Sequence, residues 1–364
     1  MNYLQDSAGS PPYRAGRRAG EFGQLSCSSP PTFSSLMRLL PPEIAHRTAI
    51  RLLQLRSKFT PIRYRKPQSQ PLIRAAGIEV PNPIGLAAGF DKNAEVVDVA
   101  FDLGFGFVEV GSVTLHPRQG TYGPRLHRLT SDRALINNMG LNNHGVDSIV
   151  QRLKACRHNG VVGLSIAGTY EEDVVYNHCA VAEAVAGLVD YVTINASCPN
   201  SANSLPPWAS YHIYRIVHRI RDLLPTNTAI WVKIPVDLTE KDVIYLTEAL
   251  VTLPIQGIVV GNTTTTRPST LNASDKERHY KGGLSGPPLK PLAIQTIQIM
   301  RPITAGRIDL IGCGGIESAE DVQEYLGAGA SLVQLYTALT YKGLGLPKRI
   351  IRELESEGQA NDSA

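Results

Sequence analysis

The chain has 364 residues, of which 43% are hydrophobic and 19% are charged, a composition that indicates an ordinary soluble core. Its length suits one large α/β barrel or two smaller domains, and no run of about 18 apolar residues is present that could cross a bilayer. The five cysteines are scattered without a CxxC pair, which argues against a disulfide scaffold, a zinc site or an iron–sulfur site and favours a reducing compartment.

The charge is distributed unevenly along the chain. Residues 1–80 carry 12 lysines and arginines against 4 acids, a net of +8, whereas the remainder carries 24 against 28, a net of −4. A basic amino-terminal segment on a mildly acidic body predicts an anionic partner surface, first of all a membrane face. Nucleic acid is disfavoured as a partner because no basic stripe with interleaved aromatic residues follows.

The amino-terminal region divides into two parts. Residues 1–33 are rich in Ser, Pro, Gly and Arg and lack periodicity, which predicts a disordered or targeting segment. Residues 34–74 form an extension with two short predicted helices, 34–40 and 42–55, which are separated at Pro41 and Pro42. The second helix combines an apolar stripe with several arginines, so it either packs on its own domain or lies on a membrane as a basic amphipathic helix.

The region from 75 to 355 alternates between short apolar runs and helix-like segments. Eight such runs predict buried strands at 84–87, 107–110, 162–166, 191–194, 230–233, 257–260, 310–312 and 332–335. Helical patterns between them include 94–103, 146–155, 240–251 and 319–328. This alternation predicts an α/β fold, one (β/α)8 TIM barrel followed by a disordered tail at 356–364. A doubly wound sheet is the alternative, but eight strand signals and the absence of a GxGxxG fingerprint favour the barrel.

The ends of the predicted strands carry groups that suit a flat, phosphorylated cofactor. Small residues after the first strand, Ala88 and Gly89, let a ring system approach the backbone. Lys233 ends a buried strand, where its charge needs a partner such as the N1–C2 edge of a reduced flavin. In such barrels a phosphate usually sits at the loops after strands seven and eight. The residues placed for that role are Gly314, Gly315, Tyr336 and Thr337.

The sequence TINASCPN at 193–200 begins in a predicted buried strand and ends beyond it. Asn195 and Asn200 each offer a donor and an acceptor, which suits a planar ligand with alternating carbonyl and N–H edges. Cys198 lies between them and is the only nearby side chain able to shuttle a proton. The alternative is a polar turn in which Cys198 is a small buried hydrophobic residue.

Several runs of this sequence resemble the dihydroorotate dehydrogenases, specifically the membrane-associated, quinone-linked class 2. These runs are GLAAGFDKN (85–93), GFGFVEVGSVT (104–114), PRLHR (124–128), INNMGLNN (136–143), GGLSG (282–286) and GASLVQLYTAL (329–339). The short run Ala45-His46-Arg47 resembles the quinone-tunnel helix of that class. The resemblance covers residues 40–355.

The resemblance implies a TIM barrel that holds FMN and oxidises (S)-dihydroorotate to orotate in pyrimidine synthesis. A base would remove the C5 proton, hydride would pass from C6 to flavin N5, and a quinone reached between the two amino-terminal helices would accept the electrons. The implied location is peripheral, on the cytoplasmic side of a bacterial inner membrane, with the mitochondrial inner membrane as the alternative.

The resemblance also implies site residues, by position. Orotate would be bound by Lys92, Asn137, Asn195, Asn200, Asn262 and Thr263. FMN would be held by Ala88, Gly89, Ser112, Asn137, Asn195, Lys233, Ser285, Gly286, Gly314, Gly315, Tyr336 and Thr337. The quinone would lie near His46, Arg128 and Tyr336.

The catalytic base is a departure from class 2, which carries serine where this chain has Cys198, the residue usual in the soluble class 1. A thiol, with a pKa of about 8.5, is far more acidic than a hydroxyl, so Cys198 is a competent base near neutral pH. Ser197, one residue away, is the weaker candidate for this role.

Four further departures affect the substrate prediction. Ser165 stands where class 2 usually has asparagine, Gly168 where a lysine is common, and Gly261 where a threonine lies beside the flavin. The loop SANSLPPW at 201–208 lacks the usual Gly-Leu-Arg. These differences leave two alternatives open: a divergent flavin barrel that oxidises another dihydropyrimidine, or a non-enzymatic, membrane-associated flavin-barrel scaffold.

Overall fold

The structure is a computed structural model that describes residues 33–59, 72–157, 160–168, 173–196 and 209–362. Within these residues the strands are β1 (Ile73–Ala75), β2 (Ile78–Val80), β3 (Ile84–Leu86), β4 (Phe107–Val113), β5 (Leu126–Leu129), β6 (Ala134–Asn137), β7 (Val161–Ile166), β8 (Tyr191–Asn195), β9 (Ala229–Ile234), β10 (Gly257–Val260), β11 (Gly283–Ser285), β12 (Asp309–Cys313) and β13 (Leu332–Leu335). The helices are α1 (Phe33–Met37), α2 (Pro42–Phe59), α3 (Val97–Asp102), α4 (Val146–Ala155), α5 (Val174–Ala184), α6 (Ala209–Leu223), α7 (Glu240–Leu250), α8 (Asp275–Arg278), α9 (Lys290–Thr304), α10 (Ala319–Ala328), α11 (Thr337–Lys342) and α12 (Leu346–Asp362).

Eight parallel strands close into one barrel. Going round it, the order is β3, β4, β7, β8, β9, β10, β12 and β13, so each strand pairs with the next barrel strand along the chain. The last strand, β13, pairs with β3 through Val333 and Ile84 and closes the barrel. Helices lie in the connections between the barrel strands. The predicted (β/α)8 barrel and all eight of its predicted strands are confirmed.

Several helix boundaries differ from the sequence prediction. The helix predicted at 94–103 begins only at Val97, because the Asp91 carboxylate accepts hydrogen bonds from the backbone N–H groups of three of the next five residues and holds a turn there. At the other end of the chain, α12 continues to Asp362, through most of the tail predicted to be disordered. Residues 356–362 contain no proline, so their backbone chemistry allows the helix to continue.

The interior of the barrel is filled at its amino-terminal end. The rings of Tyr191 and Trp231 stack with centroids 3.7 Å apart, and Phe107 meets both of them edge-on. The hairpin β1–β2 covers this end, where Trp231 Nε1 donates to Ala76 O at 2.8 Å and Ala76 N donates to Asp309 Oδ2 at 2.6 Å. The main cavity of the described residues therefore lies at the opposite, carboxyl end of the strands.

A second sheet lies over the carboxyl end of the barrel. Its three antiparallel strands are ordered β11-β6-β5, with Asn137 of β6 opposite both Gly283 of β11 and Leu126 of β5. These strands were not predicted from the sequence, because their polar residues and glycine leave no continuous apolar run. The sheet brings Asn137 and Ser285 to the cavity.

The amino-terminal helices α1 and α2 pack against this sheet and against the last elements of the barrel. Arg128 Nη1 donates to the backbone oxygens of Leu40 and Arg38, at 2.7 and 3.1 Å. These bonds hold the turn after α1, which explains why that helix ends three residues earlier than predicted. On α2, Glu43 forms an ion pair with Arg125 at 2.7 Å, and this contact lowers the pKa of Glu43. None of the helices in the described ranges combines the length and the apolarity needed to cross a membrane.

Candidate active site

A cavity with about 1390 Å³ of free space opens at the carboxyl end of the barrel. Every described residue predicted to bind orotate or FMN lines it: Ala88, Gly89, Lys92, Ser112, Asn137, Asn195, Lys233, Asn262, Thr263, Ser285, Gly286, Gly314, Gly315, Tyr336 and Thr337. Cys198, Asn200 and Ser197 lie outside the described residues, as does the loop 201–208. The structure thus brings the predicted site residues together as far as it describes them.

A chain of hydrogen bonds runs along the cavity wall from β10 towards β7. Asn262 Nδ2 donates to Asn195 Oδ1 at 3.2 Å, and Asn195 Nδ2 donates to Ser112 Oγ at 2.9 Å. Ser112 Oγ in turn lies 2.8 Å from Ser165 Oγ. At the other end, the backbone N–H of Thr263 donates to Asn262 Oδ1 at 2.9 Å. These bonds fix the orientation of both amides and therefore the edges that they present to a ligand.

Lys92 lies on the loop that follows β3. Its Nζ donates to Gly89 O at 2.9 Å. Burial lowers the pKa of Lys92 to about 8, although the Glu43 carboxylate on α2 opposes this shift. The side chain is therefore charged at neutral pH and loses its charge readily in mild alkali. A positive charge at this point suits an anionic ligand such as a carboxylate.

The opposite side of the cavity is built from hydroxyl groups and glycine loops. Ser285 Oγ lies 2.8 Å from Thr337 Oγ1, which joins β11 to the start of α11. Gly314 and Gly315 follow β12 with φ angles of +127° and +70°, which favour glycine. A Cβ on Gly315 would come within 3.0 Å of Gly286 O. The close approach of the two loops leaves no room for a side chain at Gly315, and glycine loops of this kind suit a phosphate group.

Lys233 and Cys313 meet inside the barrel. Lys233 Nζ lies 3.7 Å from Cys313 Sγ, and both residues line the cavity. Burial raises the pKa of the Cys313 thiol, although the Lys233 charge opposes this shift. The thiol is therefore a neutral neighbour of Lys233 at neutral pH.

Two of the departures from class 2 have a steric explanation. Gly261 has a φ angle of +125°, and a Cβ there would lie 1.8 Å from the carbonyl oxygen of Cys313. A Cβ on Gly168 would lie 2.7 Å from both His178 Cε1 and Val174 Cγ2. Neither position has space for the larger residue usual in class 2 unless the surrounding structure moves.

A second, more apolar cavity of about 640 Å³ lies between α2 and the barrel. The three residues predicted near a quinone, His46, Arg128 and Tyr336, all line it, and His46 and Tyr336 also line the first cavity. The ring centroid of His46 lies 6.3 Å from that of Tyr336 and 5.5 Å from that of Phe90. Burial lowers the pKa of His46 to about 3, so its imidazole is neutral at physiological pH.

Some polar residues at the site lie on the barrel strands themselves and were not predicted from the sequence. Cys313 and Gln334 line the cavity, and Gln334 Nε2 donates to Glu109 Oε2 at 2.8 Å. Glu109 and Gln334 are both fully buried. A polar side chain within an apolar strand run is a signal that could have found them, because such residues are seldom buried without a role.

The family of this chain follows from comparisons with known proteins. Residues 73–357 match the family model described as Dihydroorotate dehydrogenase. The chain is 39% identical over 336 residues to the mitochondrial dihydroorotate dehydrogenase (quinone) of Mus musculus, covering 88% of this chain and 84% of that protein. It is 38% identical over 319 residues to the dihydroorotate dehydrogenase (quinone) of Erythrobacter litoralis, covering 86% and 91%. A crystal structure of DHODH from Eimeria tenella in complex with ferulenol matches with a TM-score of 0.79 and 29% identity, covering 88% and 92%. The chain therefore belongs to the dihydroorotate dehydrogenase family.

Proposed function

We propose that this protein oxidises (S)-dihydroorotate to orotate, a step of pyrimidine biosynthesis, and passes the electrons to a quinone. Its family membership makes it an oxidoreductase of this type. The observation that carries the proposal is the pair of adjoining cavities, a polar one at the carboxyl end of the barrel and an apolar one beside α2, which share His46 and Tyr336. An enzyme that oxidises a polar substrate and reduces a lipophilic acceptor needs a polar binding site for the first and an apolar binding site for the second.

FMN is the cofactor that we propose for the first cavity. Its apolar walls and amide groups fit a planar ring with polar edges, Lys233 fits a ring edge that becomes negative, and the bare glycine loops fit a phosphate. When bound, FMN supplies a group that accepts hydride from the substrate and gives electrons to the quinone. The residues proposed to hold it are Ala88, Gly89, Ser112, Asn137, Asn195, Lys233, Ser285, Gly286, Gly314, Gly315, Tyr336 and Thr337.

The remaining roles are divided between the two cavities. Cys198, three residues after the end of β8, is proposed as the base that removes the C5 proton of the substrate. Lys92 is proposed to bind the substrate carboxylate, and the neighbouring amides its ring. The full set proposed for the substrate is Lys92, Asn137, Asn195, Asn200, Asn262 and Thr263. The set proposed for the quinone is His46, Arg128 and Tyr336.

Anaerobic mixing of the purified protein with dihydroorotate tests this function directly. We expect FMN to copurify, its visible absorbance band to bleach rapidly with dihydroorotate, and a lipophilic quinone to restore the band. If dihydroorotate left the band unchanged while another dihydropyrimidine bleached it, the substrate assignment would be wrong. A protein that could not be loaded with FMN would contradict the cofactor assignment.

Binding of orotate is expected to weaken in alkali because of Lys92. The pKa of Lys92 is lowered to about 8, so the ammonium that pairs with the orotate carboxylate is present below that pH and is lost above it. The dissociation constant of orotate, followed through the flavin spectrum, should be constant below neutrality and rise roughly tenfold for each pH unit above 8. Lys92→Arg keeps its charge at all these pH values and should not show the rise. If the dissociation constant of orotate did not change with pH in the unaltered protein, Lys92 would not bind the orotate carboxylate as proposed.

We further propose that the amino-terminal helices attach the protein to a membrane surface, on the cytoplasmic side of a bacterial inner membrane or on the mitochondrial inner membrane. Large apolar side chains are exposed on α1, on the turn after it and on α2: Leu36, Leu39, Ile44, Leu52 and Leu55. Arg47, Arg51 and Arg56 are exposed on α2. An apolar surface with adjacent cations suits an anionic lipid interface.

Removing two of these cations is expected to weaken binding to anionic vesicles. Each arginine near an anionic surface contributes about 1 kcal/mol, so the double variant Arg51→Gln, Arg56→Gln should bind vesicles containing phosphatidylglycerol about 30-fold more weakly in a sedimentation assay. The matched control, Arg215→Gln with Arg219→Gln, changes the same charge on the exposed side of α6 and should bind normally. Equal losses in both double variants would show that only the net charge matters.

A further inference from the structure

Below the first cavity, the barrel interior holds a carboxylate that no step of the proposed reaction uses. Glu109 on β4 is fully buried, and its Oε2 accepts hydrogen bonds from Thr193 Oγ1 at 2.9 Å and from Gln334 Nε2 at 2.8 Å. Its other oxygen, Oε1, is buried and makes no hydrogen bond of ordinary length, although the phenol of Tyr191 lies beside the carboxylate. Burying a carboxylate is costly unless it is fully paired, so this residue needs an explanation.

The cluster around Glu109 lies directly beneath the residues that line the cavity. Side chains two positions apart on a strand point to the same side, so Glu109 lies one layer below Gly111 and Thr193 lies one layer below Asn195. Gly111, Asn195 and Gln334 all line the cavity. A charge on Glu109 is therefore placed under the floor on which a bound cofactor would rest.

Glu109 and Lys233 act on the same small region of the interior. Cys313 lies 3.7 Å from Lys233 Nζ. Burial has the largest effect on the pKa of Cys313 and raises it, Lys233 lowers it, and Glu109 raises it, so the thiol lies within the electrostatic reach of both side chains. Because the barrel interior has a low effective dielectric constant, charges here act more strongly than they would in water.

Hydrogen bonding does not explain why a carboxylate stands at this position. The phenol of Tyr191 is a hydrogen-bonding neighbour of both Glu109 and Gln334, although neither contact has ordinary hydrogen-bond length, and after burial the Glu109 charge raises the pKa of Tyr191. A glutamine at 109 would keep one oxygen for Thr193 and Gln334 and would offer an N–H group to Tyr191 Oη, whose own hydrogen could turn to Gln334 Oε1. It would make at least as many hydrogen bonds and bury no charge. A glutamate differs from a glutamine here in its negative charge, so the charge is the property that needs an explanation.

We infer that the Glu109 carboxylate lowers the reduction potential of the bound flavin and so favours transfer of its electrons to the quinone. This inference rests on the proposed function. Hydride transfer brings two electrons and one proton into the cavity, so the site gains one negative charge. Lys233 stabilises that added charge and Glu109 opposes it. Glu109 is thus a tuning residue that touches neither substrate nor quinone.

The test is a redox titration of the full-length, FMN-loaded protein against a reference dye. In Glu109→Gln, the equilibrium should shift towards the reduced flavin by about tenfold, which is about 30 mV for a two-electron couple. The melting temperature should stay the same or rise, because the amide can keep the hydrogen bonds of the cluster without burying a charge. The matched control is Glu248→Gln, which removes an exposed acid on α7 and should leave the potential unchanged.

The outcomes separate this inference from the function on which it rests. An unchanged potential in folded, FMN-loaded Glu109→Gln would overturn the inference and leave the proposed function intact. If that variant does not fold, Glu109→Met combined with Thr193→Val removes the charge together with one of its donors, and the same shift is expected. Failure of the unaltered protein to bind FMN would overturn the proposed function and this inference together.

Discussion

Replacing Cys198 by alanine is expected to leave FMN bound and to slow the reduction of FMN by dihydroorotate at least about a hundredfold. The physical reason is the loss of the thiol that we propose as the base for the C5 proton. Ser197, the other candidate, is a much weaker base. Cys198 is not among the residues proposed to hold FMN, so FMN should remain bound to the variant. The measurement is the rate of bleaching of the flavin band in a single anaerobic turnover.

Two further variants make this experiment specific for the thiol at 198. Cys179 lies on α5 and is not among the residues that line the cavity, so Cys179→Ala should react at the unaltered rate. Cys198→Ser provides the residue usual in class 2 and should react at an intermediate rate, because a hydroxyl is a base only with assistance. Near-normal bleaching in Cys198→Ala would remove the thiol from the mechanism and make Ser197 the candidate.

Filling the second cavity is expected to separate the two half-reactions. Ala49 lines this cavity, so Ala49→Trp would place a large ring where we propose that the quinone binds. Flavin reduction by dihydroorotate should keep its rate, whereas reoxidation by a lipophilic quinone should slow at least about tenfold, the equivalent of about 1.4 kcal/mol of lost interaction. Stopped-flow traces of the two half-reactions, recorded separately, measure both effects.

Controls for this variant come from the same helix. Arg51 is exposed on α2, so Arg51→Trp adds the same ring outside the cavity and should spare both half-reactions. Deleting residues 1–60 should leave the reduction of the flavin by dihydroorotate unchanged and should abolish the reoxidation of the flavin by the quinone. Quinone turnover that survives both the deletion and Ala49→Trp would place the acceptor site elsewhere.

The barrel could be predicted from the sequence because parallel strands are buried on both faces. Such strands read as continuous apolar runs, and the alternation with helices then leaves few architectures to consider. The helices predicted at 146–155 and 319–328 occur with those bounds. One boundary that differs is set by a side chain distant in the sequence, where Arg128 bonds the turn after α1. Another, the start of α3, is set locally by the Asp91 carboxylate.

The site could be predicted only in part. The sequence indicates which residues follow each strand, but it does not indicate which side chains far apart in the chain form hydrogen bonds with each other. The residue types at the barrel's carboxyl end, such as Asn195 and Lys233, could be assigned to one cavity once the strands were known. The pairing of Glu109 with Gln334 joins residues 225 positions apart, and no periodicity encodes it. The strands β5, β6 and β11 (LHRL, ALIN and GLS) include polar residues or glycine, so they lack the continuous apolar run that marked the equally short barrel strands.

The docking of α2 on the end of the barrel has a consequence for the order in which the protein is assembled. The ring of His46 packs near Phe90, which is made soon after it, and near Tyr336, which leaves the ribosome about 290 residues later. At roughly 5–20 residues per second, the place where the helix docks is therefore incomplete for tens of seconds. During that interval its apolar side is only partly covered by the protein, and a nearby bilayer is a ready alternative. We therefore expect contact with the lipid surface to precede closure of the barrel, so that newly made chains would reach the membrane before they are finished.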